Sequence, residues 1–122
     1  MAKILVVDDD DQVRLMMRQV LERDGYTVAT AADGKEAIKL FKIEAFDLVI
    51  TDIIMPEKEG IETITELRRD YPELKIIAIS GGGRHRPEGY LELAKGLGAT
   101  MTMVKPFERS EILAAVKNVL KA

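Results

Sequence analysis

The chain has 122 residues, of which 47% are hydrophobic and 32% are charged, and its formal net charge is −3. This length and balance predict one globular domain over residues 1–122 rather than a disordered chain. The absence of cysteine excludes disulfides, thiol catalysis and cysteine-ligated metal centres. Because there is no basic stripe and no long apolar run, we expect no direct nucleic-acid partner, no membrane span and a cytoplasmic location.

Five short segments rich in Val, Ile or Thr have the length and composition of β-strands. They are Lys3–Val7, Tyr26–Thr30, Asp47–Thr51, Lys75–Ser80 and Thr100–Val104. After each of them, apolar residues recur at helical spacing. The predicted helices contain Val13 to Leu21, Ala37 to Phe41, Ile61 to Leu67, Tyr90 to Leu97, and Ile112 to Leu120.

Helix ends are marked by their own signals. Gly25 and Pro72 are predicted to end the first and third helices. Asp33 with Glu36 resembles a capping box at the start of the second.

The alternation of strand and helix predicts a doubly wound α/β fold, with a five-stranded parallel sheet and five helices on its two faces. The first, third and fourth strands are almost wholly apolar, as strands covered on both faces should be. The second and fifth strands are mixed or alternating, which favours edge positions. The predicted strand order is therefore 2-1-3-4-5, the flavodoxin-like arrangement.

Polar residues follow the strands at one edge of this predicted sheet. Asp8 and Asp9 follow the first strand, Asp52 the third and Lys105 the fifth, while Ser80 ends the fourth. In open α/β sheets, ligands bind outside the carboxyl ends of the strands, at the point where the strand order reverses. We therefore expect the three aspartates to lie close together there.

Three crowded carboxylates repel one another, so a cation is expected among them. Oxygen ligands without His or Cys favour a hard cation, and Mg²⁺ fits best because it binds through carboxylates together with a phosphate. Lys105 adds a second positive charge, and the Ser80 hydroxyl can donate to a phosphoryl oxygen. These groups together are suited to phosphoryl transfer onto a carboxylate.

Each residue also has a simpler interpretation. Asp10 or Asp11 is best explained as a helix cap. Alone, Asp52 could be a turn residue, Lys105 a surface lysine and Ser80 a loop residue. The functional interpretation depends on all of them meeting at one edge of the sheet.

The motifs resemble the receiver domain of bacterial two-component response regulators, of the chemotaxis-regulator type. The resemblance covers essentially the whole chain. Its motifs are Ile4 to Asp9, Asp52 to Pro56 with Gly60, Ser80 after an apolar strand, Gly98-Ala99, and Lys105-Pro106-Phe107.

The resemblance implies a role for each site residue. Asp52 is the phosphoacceptor, and Asp9 binds Mg²⁺ directly while Asp8 acts mainly through water. The backbone carbonyl of Ile54 is a further metal ligand. Lys105 contacts the phosphoryl group, and a cis peptide to Pro106 is expected after it.

The resemblance also implies partners and a switch. A sensor histidine kinase or histidine phosphotransfer protein supplies the phosphoryl group, and the domain assists its own phosphorylation and dephosphorylation without being an enzyme. Ser80 reports phosphorylation to a downstream protein, which binds the surface formed by the fourth helix, the fifth strand and the fifth helix.

Two positions depart from the family pattern. Relatives usually carry an aromatic switch residue where this chain has Thr102, and an alanine where it has Gly81. We expect phosphorylation to survive both changes, and we do not expect the usual output mechanism, which uses the aromatic residue.

Three other functions compete with this one. A haloacid-dehalogenase-like phosphatase would share the Asp-x-Asp motif of Asp8-Asp9-Asp10 after the first strand, but Lys105 is followed by Pro106-Phe107 rather than by a further acidic pair. A flavin-binding module would need a phosphate loop where four aspartates stand. A receiver-like scaffold without phosphorylation would not need the complete acidic set or Lys105. A stand-alone protein is the simplest expectation for a chain that shows no output domain.

Overall fold

The computed structural model of the chain describes residues 2–53, 59–80, 95–96, 98–105 and 107–121. Five strands are β1 (Lys3–Val7), β2 (Thr27–Ala31), β3 (Leu48–Asp52), β4 (Lys75–Ser80) and β5 (Met101–Val104). Four helices lie in the described ranges: α1 (Asp11–Arg23), α2 (Gly34–Ile43), α3 (Glu59–Asp70) and α4 (Arg109–Lys121). The helix predicted over Tyr90 to Leu97 falls largely outside these ranges.

All five strands are parallel, and their order is β2-β1-β3-β4-β5. This confirms the order predicted from strand composition. β3 is buried along its whole length and β1 and β4 are buried beyond their first residue, whereas β2 and β5 are partly exposed. The apolar strands therefore occupy the centre of the sheet, where helices cover both of their faces.

Alternate residues of each strand point to opposite faces of the sheet, so the sheet separates two apolar clusters. One face packs against α2 and α3, through residues such as Leu5, Phe41 and Leu67. The other packs against α1 and α4, through residues such as Ile4 and Leu21. Within the described residues, no helix is both long enough and apolar enough to cross a membrane.

Two of the predicted helix-end signals are confirmed. Gly25 has φ of 96°, and its amide donates to the Glu22 carbonyl while the Tyr26 amide donates to that of Leu21. This is a Schellman motif, which needs a residue that tolerates positive φ. Asp33 caps α2 through the Glu36 amide, at 2.8 Å.

A second glycine turn lies before β5. Gly98 has φ of 112°, and a Cβ placed on it would lie 2.7 Å from the Nε of Arg68. The Arg68 guanidinium donates to the carbonyls of Gly98, at 2.6 Å, and Pro72, at 2.8 Å. These bonds fasten the end of α3 to the chain that enters β5, and therefore help to place the residues that follow β5.

Candidate functional site

The carboxyl ends of the strands bring the predicted acidic residues together. Asp8 follows β1 directly and Asp52 is the last residue of β3, which pairs with β1 on one side and β4 on the other. One carboxylate oxygen each from Asp8, Asp9 and Asp52 lies within 4.8 Å of the others. The expected proximity of the three aspartates is confirmed, although their roles stay predictions.

Lys105 reaches into this cluster from the end of β5. Its Nζ donates to Asp8 Oδ2 at 2.8 Å and to Asp52 Oδ2 at 2.9 Å. The side chains of Asp8 and Asp52 are only 1% and 6% exposed, while that of Lys105 is 22% exposed. One ammonium group therefore joins two buried carboxylates that would otherwise repel each other.

These contacts change the proton affinity of the lysine. Burial alone would lower the pKa of Lys105, but the hydrogen bonds to Asp8 and Asp52 and the nearby negative charges outweigh it. The pKa of Lys105 is consequently raised above its ordinary value of 10.5, and the side chain stays charged at neutral pH.

The loop after β1 is fixed by hydrogen bonds to the side chains of its own aspartates. The Asp8 carboxylate accepts the Asp10 amide at 2.9 Å, in addition to the lysine. The Asp10 carboxylate caps α1 by accepting the amides of Gln12, at 2.8 Å, and Val13, at 3.3 Å. Asp10 is therefore the structural cap, while the exposed Asp9 between the two remains available for a ligand.

Ser80 and Lys105 are joined through the backbone. Ser80 is fully buried at the end of β4, and its carbonyl accepts the Lys105 amide at 2.7 Å. Thr102 is half-buried and lies beside Ala78 in the β4–β5 register. Ile54 and Gly81, which the sequence also singled out, lie outside the described residues.

The acidic cluster fits a magnesium ion. Its donors are all carboxylate oxygens, which hard divalent cations prefer. Around an octahedral Mg²⁺, two ligand atoms are about 3 Å apart when adjacent and about 4.2 Å apart when opposite. The three carboxylate oxygens, which lie within 4.8 Å of one another, are therefore close enough to reach one ion after side-chain adjustment. Three carboxylates and one ammonium leave a formal charge of −2, which a divalent cation balances.

Arg14 is a site neighbour that the sequence did not reveal. Its Nη1 donates to the backbone carbonyl of Asp8 at 2.5 Å, and its Nη2 pairs with Asp11. The sequence offered only a weak indication of this contact, because an arginine three residues after an acidic residue on a helix commonly forms a surface ion pair. Its contact with the loop after β1 becomes visible only in three dimensions.

Comparisons with known proteins show which proteins this chain is similar to. The sequence profile of the response regulator receiver domain matches residues 4–117. The chain is 38% identical over 121 residues to Protein CcdB of Bacillus subtilis, covering 98% of both chains.

Longer relatives match over part of their length. Identity to the alkaline phosphatase synthesis transcriptional regulatory protein PhoP of B. subtilis is 37% over 119 residues, which is 98% of this chain and 48% of PhoP. The chain thus spans about half the length of this relative. Among solved structures, the chemotaxis protein CheY4 of Vibrio cholerae superposes with a TM-score of 0.87 at 36% identity, covering 98% of each chain.

Proposed function

The chain belongs to the response regulator receiver domain family of two-component systems, and from that premise we propose that Asp52 accepts a phosphoryl group in a Mg²⁺-dependent reaction. The donor is a phosphohistidine on a sensor histidine kinase or a histidine phosphotransfer protein. Residues 1–122 act as one receiver domain in the cytoplasm, and the domain assists its own phosphorylation and dephosphorylation.

The contact of Lys105 with both Asp8 and Asp52 supports this proposal most strongly. A carboxylate that accepts a phosphoryl group must let another anion approach it, and two acidic neighbours oppose that approach. The Lys105 ammonium, 2.9 Å from Asp52, already lies where it can donate to an incoming phosphoryl oxygen. The bond between phosphorus and the donor imidazole breaks as the bond to the Asp52 oxygen forms, and the imidazole leaves with the electron pair.

Mg²⁺ is the expected cofactor. Asp9 and Asp52 would hold it directly and Asp8 mainly through water, with the Ile54 carbonyl, outside the described residues, as a further ligand. When bound, the ion supplies positive charge that offsets the repulsion between the phosphoryl group and the carboxylates. The donor set and the formal charge of the cluster support this assignment.

The output is transmitted through a protein partner. Ser80 turns its hydroxyl toward the phosphoryl group, and the change passes along the backbone of the glycines at 81–83 into the predicted helix that follows. Thr102 is too small and too stiff at χ1 to act as an aromatic switch ring, whereas glycine tolerates many backbone angles. The partner face combines that helix, β5 and α4, and makes no direct contact with nucleic acid.

Phosphorylation by a small acyl phosphate tests the central step. With Mg²⁺, the protein should gain one phosphoryl group detectable by intact mass, and none in EDTA. Asp52→Asn should abolish the gain, because an amide oxygen is a far weaker nucleophile than a carboxylate. Asp47→Asn is the matched control, since Asp47 precedes the same strand at its opposite end.

Two outcomes would contradict the proposal. Normal labelling of Asp52→Asn would place the acceptor elsewhere. Sustained turnover of a simple phosphomonoester by the unmutated protein would instead favour a phosphatase.

A further inference from the structure

Arg14, in the first turn of α1, contacts both the loop after β1 and the first residue of α1. Its Nη1 donates to the Asp8 carbonyl at 2.5 Å, and its Nη2 pairs with the Asp11 carboxylate. The Arg14 side chain is only 17% exposed, although the Asp11 side chain is 89% exposed. The guanidinium therefore lies against the protein rather than in solvent, and its backbone contact is the more enclosed of the two.

The Asp8 carbonyl is part of the peptide group that joins Asp8 to Asp9. The Asp8 amide donates to the Ala31 carbonyl at 3.2 Å, and the Asp10 amide is held by the Asp8 carboxylate at 2.9 Å. Among the residues that the structure describes, none forms a hydrogen bond or ion pair with the Asp9 carboxylate. The direction of this carboxylate consequently depends on the backbone on either side of it.

We propose that Arg14 is a positioning residue for the metal ligand Asp9. By holding the Asp8 carbonyl, Arg14 fixes the plane of the Asp8–Asp9 peptide and so directs the Asp9 carboxylate toward Asp52. Partners that hydrogen-bond a metal ligand directly typically contribute 10- to 100-fold to metal affinity. Arg14 acts one peptide group away from Asp9, so we expect a contribution at the lower end of that range. This inference rests on the proposed Mg²⁺ site, but it concerns a residue that does not touch the ion.

Electrostatics alone predicts the opposite result. Arginine is always protonated, and a fixed positive charge near the acidic cluster opposes the binding of a second cation. If charge were the main effect, removal of Arg14 would strengthen Mg²⁺ binding. If positioning is the main effect, removal weakens it, so the sign of the change separates the two accounts.

The test compares Mg²⁺ affinity in four proteins. The unmutated chain, Arg14→Met, Arg14→Lys and Arg18→Met are titrated with Mg²⁺ and followed by amide NMR, because the chain has no tryptophan to report binding by fluorescence. Arg18 is the matched control, since it lies on the same helix and its one ion pair among the described residues is with Glu22, at 3.4 Å, where both side chains are about half-exposed. Thermal unfolding of each protein in EDTA separately measures any loss of stability.

The expected result is about tenfold weaker Mg²⁺ binding in Arg14→Met, with Arg18→Met unchanged. Arg14→Lys keeps the charge but lacks the planar guanidinium that reaches two acceptors, so it should also bind Mg²⁺ more weakly than the unmutated chain. In both Arg14 variants, the Asp10 amide, which donates to the Asp8 carboxylate in the unmutated chain, should exchange with solvent faster in EDTA.

Unchanged or tighter Mg²⁺ binding in both Arg14 variants would overturn the positioning role and leave the phosphoacceptor proposal intact. Loss of stability in EDTA with unchanged affinity would likewise show that Arg14 is only structural. Failure of the unmutated chain to bind Mg²⁺ would instead overturn the proposed function, and this inference with it.

Discussion

Replacement of Lys105 by methionine measures how strongly one ammonium group stabilises the acidic cluster. The Lys105 Nζ is 2.8 Å from Asp8 and 2.9 Å from Asp52, whose side chains are nearly inaccessible to solvent. Methionine keeps most of the length and removes the charge, so two buried carboxylates would face each other without a cation. Removing one partner of a buried ion pair costs about 3–5 kcal/mol. Because the lysine side chain is 22% exposed, we expect about 2–4 kcal/mol here.

The assay is thermal unfolding with and without Mg²⁺. In a domain of this size, a loss of 3 kcal/mol lowers Tm by roughly 10 °C, and this drop is expected in EDTA. Mg²⁺ should then stabilise Lys105→Met more than the unmutated protein, because the ion supplies the missing charge and no longer competes with the lysine.

Lys117→Met provides the matched control. The Lys117 Nζ lies 3.7 Å from Asp24, and the lysine side chain is 58% exposed. Loss of such a surface pair costs less than about 1 kcal/mol. If Lys105→Met were as stable as Lys117→Met in EDTA, or gained no more than the unmutated protein from Mg²⁺, the reasoning about the cluster would be refuted.

Three further predictions concern other parts of the chain. Asp9→Ala should lose the stabilisation that Mg²⁺ gives the unmutated protein. In EDTA, this variant should be at least as stable as the unmutated protein, because a repelling charge is removed, and lower stability in EDTA would show that Asp9 is structural. Gly98→Ala should lower the free energy of unfolding by about 1–3 kcal/mol because of its positive φ. Gly96→Ala should not lower it, because an added Cβ meets nothing within 4 Å and alanine is favoured over glycine in a helix. Beryllofluoride, a phosphoryl mimic, should shift amide NMR signals most over residues 80–92 and little at Thr102, and the reverse pattern would refute the backbone switch.

Much of the fold follows from strand composition. The central strands were predictable because burial on both faces requires continuous apolar sequence, and the bounds of β1 and β4 agree with prediction. β2 begins at Thr27 rather than at Tyr26, because the Tyr26 amide donates to the Leu21 carbonyl at the end of α1. Such competition between a helix cap and a strand depends on three-dimensional geometry, so sequence pattern alone does not resolve it.

The capping box at α2 also depends on three-dimensional geometry that the sequence pattern does not resolve. Asp33 caps the helix as predicted, but Glu36 reaches back to the amide of Ala32, at 3.3 Å. In a standard capping box, the amide of Asp33 itself would be the donor. The sequence identified the two side chains correctly, while the backbone turn before the helix decided which amide is within reach.

Part of the candidate site was predictable from the sequence, and part of it was not. Asp8, Asp9 and Asp52 were predictable as neighbours because each lies at the carboxyl end of a strand whose place in the sheet could be inferred. The double contact of Lys105 and the contact of Arg14 with the Asp8 carbonyl were not, since both depend on side-chain conformations. Sequence order thus locates residues at the edge of the sheet, and packing determines which of them touch.

The identity of the phosphorylated residue tests the central claim most directly. The unmutated protein is incubated with Mg²⁺ and an acyl phosphate, then treated with borohydride, which reduces an aspartyl phosphate to homoserine and marks the position permanently. Peptide mass spectrometry should find homoserine at position 52, and should find none when Mg²⁺ is chelated. Homoserine at Asp8 or Asp9 in place of Asp52, or no homoserine despite Mg²⁺ and donor, would contradict the assignment of Asp52 as the phosphoacceptor.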